Sequence, residues 1–196
     1  MLYIETDRLI LRDFEESDFE SYYSLKSDEK TMYYLQDLLL PSREEALEDF
    51  RKVLADRDSR DRQFFFFHME TKDTHDQVGS IGYTVTANTP VGKIVNMGYF
   101  TYPAFWGKGY TSEALKAVLE FCFTQGDVYR VTTGCLAENR GSERVMQKCG
   151  LIKEAKHLDY EWHDGKMKTR LEYRLLRQEW QKTICLSDLL SSRSIL

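Results

Sequence analysis

The segment YPAFWGKGYTSE, which runs from Tyr102 to Glu113, joins a predicted strand to a predicted helix. It places Gly107 and Gly109 one residue apart, in a chain that has only 11 glycines. Glycine lacks a Cβ atom and adopts positive φ readily. The pair therefore suits either a plain strand-to-helix turn or a loop whose backbone amides touch a ligand, and the segment alone does not decide between them.

Two common phosphate-binding motifs do not fit this segment. A Walker loop requires Ser or Thr after Gly-Lys, but Gly107-Lys108 is followed by Gly109, and Tyr102 stands where the first glycine belongs. A dinucleotide-binding fingerprint requires a third glycine at the position of Ser112, together with a parallel βαβ unit that the chain lacks. The remaining ligand hypothesis is that loop amides and the helix N-terminus bind an anion such as a pyrophosphate, with Lys108 adding positive charge.

Hydrophobic periodicity predicts the order strand, two helices, three strands, helix, strand, helix and two strands. The first strand lies within TDRLILRDF, and the last two form a hairpin around 163–166, where Asp-Gly favours a type I′ turn. The helix after the glycine pair has a buried stripe at i, i+3, i+4 and i+7, formed by Leu115, Val118, Leu119 and Cys122. Helices that interrupt a mostly antiparallel sheet predict an α+β domain.

The composition narrows the functional class. A length of 196 residues suits one domain, and a net charge of -5 argues against a nucleic-acid partner. No apolar run approaches the roughly 20 residues that span a bilayer, and the N-terminus lacks a secretory-signal pattern. The four cysteines show no CxxC spacing and the four histidines are scattered. We therefore expect no metal site, no membrane partner and a cytoplasmic location.

A second strand–turn–helix unit follows about thirty residues after the first. Its turn and helix read NRGSERVMQKCGL, from Asn139 to Leu151. Asn139 or Ser142 can be explained simply as a helix N-cap. The two units would nevertheless lie side by side in one sheet, and this favours a shared ligand site.

The segments WGKGYTSEAL and NRGSERVMQKCGL, with TDRLILRDF near the start and EYRLLRQEW near the end, together resemble the GNAT superfamily of acetyl-CoA-dependent N-acetyltransferases. Within it, the chain is similar to the branch of the ribosomal-protein N-acetyltransferases RimJ and RimL. The likeness runs from about Leu2 to Trp180. It implies a GNAT fold, with a mixed, mostly antiparallel seven-stranded sheet flanked by about four helices. The expected domain covers 1–180, and 181–196 would be a tail that either docks as a helix or stays loose.

The resemblance also implies a site for acetyl-CoA as co-substrate. The strand that ends at Tyr102 would separate from its neighbour, and backbone groups around Phe100 and Tyr102 would hold pantetheine and polarise the thioester carbonyl. Asn139 would contact the pantetheine arm, and Ser142 would protonate the leaving thiolate. The loop and helix start that would bind the pyrophosphate comprise Trp106, Gly107, Lys108, Gly109, Tyr110, Thr111 and Ser112.

The chain departs from the family pattern at three positions. Ala104 replaces a Gln or Arg that the RimJ-like branch also often lacks, so CoA binding is still expected. Asn96 replaces a Glu that relatives often carry, and the general base stays unassigned. Met146 replaces a Tyr that is proposed to protonate CoA in many members, which leaves Ser142 as the candidate acid.

The mechanism implied is direct attack of a neutral amine on the thioester in a ternary complex. Cys135 and Cys149 sit on apolar faces with no nearby histidine, so they are expected to be core residues and not nucleophiles. The acceptor would be a protein N-terminal amine or a small amine, and relatives are often homodimers. An alternative function is a non-catalytic CoA-binding module that acts as a sensor or partner subunit. The tyrosines near the segment that covers the acceptor site in relatives are Tyr22, Tyr23, Tyr33 and Tyr34.

Overall fold

The computed structural model of the chain describes residues 1–184. Residues 185–196, most of the predicted tail, lie outside the described residues. Residues 177–184 are helical. No helix in the described range is both long enough and apolar enough to cross a membrane.

The described residues form eight strands and four principal helices. The strands are β1 Tyr3–Glu5, β2 Leu9–Asp13, β3 Phe64–Thr71, β4 Gln77–Thr89, β5 Gly92–Thr101, β6 Val128–Leu136, β7 Ile152–His163 and β8 Lys166–Leu176. The helices are α1 Phe19–Ser27, α2 Arg43–Arg57, α3 Tyr110–Thr124 and α4 Arg140–Lys148.

The strands form one sheet in the order β1-β2-β3-β4-β5-β6-β8-β7. Neighbouring strands are antiparallel except β5 and β6, which run parallel. With α3 between them, β5 and β6 form one parallel βαβ unit, so the expectation that the chain lacks such a unit is wrong. The predicted α+β class is confirmed, but the predicted count of seven strands is wrong by one. The N-terminal segment makes two strands, because a turn separates β1 from β2. In this turn the Thr6 hydroxyl accepts a hydrogen bond from the Leu9 amide at 2.9 Å. β1 has three residues, too few to show a period-two pattern.

Helix α3 packs against the sheet through the predicted stripe. Leu115, Val118 and Cys122 are fully buried, and Leu119 is 1% exposed. They join a core that includes Leu9, from the N-terminal part of the sheet. Burying each aliphatic side chain of this kind contributes about 1.5–3 kcal/mol, so this face fixes α3, and with it the loop that precedes α3, on the sheet.

The hairpin turn between β7 and β8 has the geometry that its sequence predicts. Asp164 has φ 52° and Gly165 has φ 75°, and positive φ at both central positions is the requirement of a type I′ turn. The turn therefore sets the register of the adjacent pairs, from His163–Lys166 to Glu161–Lys168, and irregularities in the pairing shift the register further along the hairpin.

Glu143 joins α4 to the hairpin. Its Oε1 accepts from Lys153 Nζ at 2.7 Å and from the Tyr173 hydroxyl at 3.0 Å, and its Oε2 accepts from Arg140 Nη1 at 3.0 Å. The carboxylate is 7% exposed. The hydrogen bond from Lys153, with those from Tyr173 and Arg140, lowers the pKa of Glu143 to about 2. The folded state therefore favours the ionised carboxylate.

Replacing Glu143 by Gln is expected to lower the unfolding temperature by roughly 5 °C at pH 7, because hydrogen bonds to a charged group are lost. A carboxyl group whose pKa is lower in the folded state than in the unfolded state stabilises the fold at any pH above its unfolded-state pKa. This stabilisation is lost as the pH falls through the folded-state pKa. The difference between wild type and variant should thus shrink from pH 5 to pH 2, as thermal unfolding would show. Glu120→Gln, on the exposed face of α3, is the control. An equal fall in the unfolding temperature of this variant would contradict the stabilising role given to the Glu143 contacts.

Candidate active site

The parallel strands β5 and β6 pair at one end only. Their ladder has four residue pairs, from Lys93–Val128 to Asn96–Thr132. Beyond that point the strands separate, as the resemblance implies, and a cleft of about 580 Å³ lies between them. Residues 97–101 and 133–136 both line it. Backbone groups of these residues that face away from β4 and β8 are thus directed toward the cleft.

Six of the eleven predicted site residues line the cleft, namely Phe100, Trp106, Gly107, Thr111, Asn139 and Ser142. Four others lie in the loop before α3 or in its first turn, namely Lys108, Gly109, Tyr110 and Ser112. Tyr102 is directed toward β4 instead. Its amide donates to the Val78 carbonyl at 3.0 Å, and its hydroxyl lies 3.4 Å from Gln77 Oε1.

The loop between β5 and α3 depends on its two glycines. Gly107 has φ 74° and Gly109 has φ 86°, a conformation that other residues rarely adopt. A Cβ at Gly107 would meet nothing within 4 Å, and one at Gly109 would approach Arg8 Nη2 at 3.5 Å. Helix α3 begins at Tyr110, so the amides of its first turn lack intrahelical partners. Unpaired amides and the helix dipole favour an anion at this end of the cleft.

Two hydrogen bonds connect this loop to the end of β5. Trp106 Nε1 donates to the Thr101 carbonyl at 2.6 Å. The hydroxyls of Thr101 and Thr111 lie 2.9 Å apart. The loop is therefore held at both sides, while the ammonium of Lys108 lies over the ring of Phe105, 5.3 Å from its centre.

Arg8 holds the same loop from the N-terminal part of the chain. Its Nη1 donates to the Lys108 carbonyl at 3.1 Å, and its Nε donates to Glu113 Oε2 at 2.7 Å. Its guanidinium carbon lies 4.4 Å from the centre of the Tyr110 ring. Sequence reasoning assigned no role to Arg8, because these partners are 100 and 105 residues away in the chain. Its side chain is 47% exposed, and its charge is offset by the ion pair with Glu113, whose Oε2 lies 2.6 Å from Arg8 Nη2. The contribution of Arg8 is therefore chiefly to hold the loop in place.

Asn139 and Ser142 meet at the start of α4. Asn139 Oδ1 accepts from the Ser142 amide at 3.0 Å, which makes Asn139 the helix N-cap. The Ser142 hydroxyl oxygen lies 2.8 Å from the hydroxyl of Tyr99 on β5. Sequence reasoning missed Tyr99, which is 43 residues from Ser142. Burial raises the pKa of Tyr99 well above its usual value, so the phenol stays protonated.

The cysteines near the cleft are poor nucleophiles. Cys135 lines the cleft, and the Cys149 thiol contacts the Ser112 carbonyl at 3.4 Å. Burial raises the pKa of each thiol to about 11. Since the thiolate is the reactive form, burial disfavours both side chains as nucleophiles at neutral pH.

The segment between α1 and α2 covers the other end of the cleft. Lys30, Thr31, Tyr34, Leu35 and Leu38 line the cleft from this segment. The rings of Tyr33 and Tyr34 pack on the buried His163 of the β7–β8 hairpin, with centroid distances of 5.0 and 5.9 Å.

The remaining two predicted tyrosines lie elsewhere. Tyr22 is buried in a second cluster with Phe14 and Phe50. The Tyr23 hydroxyl donates to the Pro41 carbonyl at 3.1 Å. Only Tyr34 of the four predicted tyrosines lines the cleft itself.

Two charged side chains that line the cleft are already paired. Arg170 lines the cleft, and its guanidinium donates to Glu161 at 2.7 Å and to Glu172 at 2.5 Å. Glu138 also lines the cleft and forms an ion pair with Lys168. Within residues 1–184, no group of three or more His, Cys, Asp or Glu side chains is arranged to hold a metal ion.

The acetyltransferase (GNAT) domain family matches residues 8–152 of the chain. The chain therefore belongs to the GNAT acetyltransferase family, and it is an N-acetyltransferase. Among its relatives, the uncharacterized N-acetyltransferase YnaD of Bacillus subtilis is 26% identical, over 91% of this chain and 99% of that protein.

Solved structures confirm the predicted GNAT fold. A spermidine N-acetyltransferase from Vibrio cholerae, in complex with CoA and spermine, matches with a TM-score of 0.77 at 17% identity, over 88% of this chain and 98% of that one. RimL, a ribosomal-protein α-N-acetyltransferase in complex with coenzyme A, matches with a TM-score of 0.75 at 20% identity, over 89% of this chain and 98% of that one. RimL is thus one of the structures that share the fold of this chain.

Proposed function

We propose that the cleft binds acetyl-CoA and that the chain transfers its acetyl group to a primary amine. The single observation that supports this most is the continuous path from the glycine loop, along the separated strands, to Ser142. Loop amides at Gly107 and Gly109, with the first turn of α3, would hold the pyrophosphate. Pantetheine would lie along residues 97–101 and place its thioester near Ser142.

Electrostatic and hydrogen-bond contacts would then carry the reaction. Backbone N–H groups of β5 that face the cleft would polarise the thioester carbonyl as charge develops on its oxygen. The Ser142 hydroxyl would stabilise the departing sulfur. A free thiol has a pKa near 8.5, so its thiolate is a reasonable leaving group and needs only modest help. The Asn139 amide nitrogen would be available to the pantetheine arm, because its Oδ1 already serves as the N-cap acceptor.

Direct attack by the amine is favoured over an acyl-cysteine intermediate. Cys135 is the cysteine that lines the cleft, and its raised pKa of about 11 leaves very little thiolate at neutral pH. The amine must be neutral to attack. A protein α-amine, with a pKa of about 7.7–8.0, reaches that state more easily than a lysine-like amine near 10.4.

The charges around the covered end argue against a polyamine acceptor. A polycation would need carboxylates free to pair with it, but Glu138, the carboxylate among the residues that line the cleft, already pairs with Lys168. Lys30 adds a further positive charge to the lining. We therefore propose an acceptor with one reactive amine and little further positive charge, such as a protein N-terminus or a small monoamine.

A two-stage assay tests these proposals. Acetyl-CoA and CoA should raise the unfolding temperature and NAD should not, because a ligand stabilises only the state that binds it. Thiol release from acetyl-CoA should then occur with peptides that have free N-termini, and at least 10-fold less with spermidine or with the same peptides blocked at the N-terminus. Faster turnover of spermidine would overturn the acceptor proposal. Tight CoA binding without turnover on any acceptor would favour the non-catalytic alternative.

A further inference from the structure

Tyr99 makes two contacts with one serine. Its hydroxyl oxygen lies 2.8 Å from Ser142 Oγ and 3.2 Å from the Ser142 carbonyl oxygen. Both residues line the cleft. The two side chains come from different elements, β5 and α4, and the N-cap bond from Asn139 fixes the backbone of Ser142 between them.

These contacts allow two arrangements of the hydroxyl protons. A carbonyl oxygen only accepts, whereas each hydroxyl both donates and accepts. If the Tyr99 proton goes to the Ser142 carbonyl, the serine proton can donate to the phenol oxygen and is then not available to a ligand. If the Tyr99 proton goes to Ser142 Oγ, the phenol oxygen no longer competes for the serine proton, which is then available to a ligand in the cleft. The proton arrangement at the phenol therefore decides whether the serine can donate to a ligand.

The other polar neighbour of the Ser142 hydroxyl is a weak competitor. The Cys135 thiol also interacts with this hydroxyl, but a thiol is a poor donor and a poor acceptor. One turn further along α4, the buried Met146 offers no hydroxyl. The strong hydrogen-bonding partner that the described structure gives to the Ser142 side chain is thus the phenol of the strand.

We infer that Tyr99 is a positioning residue that directs the Ser142 hydroxyl toward the sulfur of CoA. This inference rests on the proposed function. When the amine attacks, the new C–N bond forms, the C–S bond breaks and sulfur keeps its electron pair as a thiolate. The amine nitrogen loses one proton to solvent. Ser142 donates a hydrogen bond to the sulfur while Tyr99 donates to Ser142 Oγ, and neither residue gives up its proton.

A double-mutant cycle tests this inference on the whole chain. Tyr99→Phe removes the hydroxyl and keeps the ring. We expect it to lower kcat about 5–10-fold, with KM for acetyl-CoA within twofold of wild type. Ser142→Ala should lower kcat about 10–30-fold. The double variant should match Ser142→Ala alone within twofold, because residues that act through one another are not additive. Tyr83→Phe, a buried tyrosine on β4 whose hydroxyl lies beside Gly126, is the control and should keep wild-type kcat.

The outcomes separate this inference from the proposed function. If Tyr99→Phe lowers kcat by the same factor with and without Ser142, Tyr99 acts elsewhere and the inference is overturned. Wild-type kcat in Tyr99→Phe also overturns it. If Ser142→Ala itself keeps wild-type kcat, the role proposed for Ser142 fails. Thermal unfolding of each variant shows whether a loss of kcat comes from misfolding. If Tyr99→Phe misfolds, Tyr99→His replaces it in the cycle, because histidine keeps a ring with a hydrogen-bond donor.

Discussion

Replacing Gly109 by Glu is expected to weaken acetyl-CoA binding at least 100-fold, which corresponds to about 2.7 kcal/mol. The side chain would project from the N-cap of α3, where the loop and helix dipole are proposed to hold a pyrophosphate. A carboxylate there repels the phosphates and competes with them for the same amides and for Arg8, whose Nη2 would lie 3.5 Å from the new Cβ. Calorimetric titration with acetyl-CoA measures the loss.

Gly109→Gln is the matched control, because it has the same shape without the charge. Both variants place a side chain at φ 86° and so share a backbone strain of about 1–2 kcal/mol. Both should therefore unfold several degrees below wild type. Only the Glu variant should lose nearly all binding, and the Gln variant should lose about 10-fold. Equal losses of affinity would mean that the shape of the side chain and not its charge is responsible. Wild-type affinity in the Glu variant would contradict the proposal that this loop binds the pyrophosphate.

Replacing Gly98 by Phe is expected to lower kcat/KM for the acceptor at least 100-fold. Gly98 lies on β5, just beyond the last residue of β5 that pairs with β6, and it lines the cleft. A Cβ atom at this position would meet nothing within 4 Å. A phenyl ring would occupy the space in which thioester and amine are proposed to meet. Strands accommodate aromatic residues well, so the unfolding temperature should stay within about 3 °C of wild type.

Two controls make this second result specific. Gly98→Ala adds one methyl group and should lower kcat/KM for the acceptor less than fivefold. Ala87→Phe places the same ring on an exposed position of β4, outside the cleft, and should keep wild-type turnover and stability. Acetylation at the wild-type rate by Gly98→Phe would show that the acceptor approaches from another side of the sheet.

The sequence was sufficient for features that depend on neighbouring residues. The spacing of Leu115 to Cys122 gave the buried face of α3, and Asp164-Gly165 gave the hairpin turn. The glycine pair indicated an amide-rich loop because glycine geometry is local. The family resemblance then supplied the separation of β5 from β6, which no pattern within either strand reveals.

Features that depend on distant residues were not predictable in the same way. Arg8 reaches a loop 100 residues later, and Tyr99 reaches Ser142 across 43 residues. These contacts require the register of the sheet and the packing of α3 and α4 on it, and neither is encoded in a local spacing. The strand β1 was missed for a different reason, since three residues cannot show alternation.

The separation of β5 from β6 also gives the sheet an internal edge. Exposed edges are where strands of other molecules add, and proteins usually protect them with charges, bulges or covering segments. Here the edge is inside the molecule, and the segment between α1 and α2 covers one end of it. An edge inside the molecule is harder for a strand of another copy to reach than an edge at the rim of the sheet. The fold thus keeps unpaired backbone groups available to a small ligand while it limits strand addition from other copies.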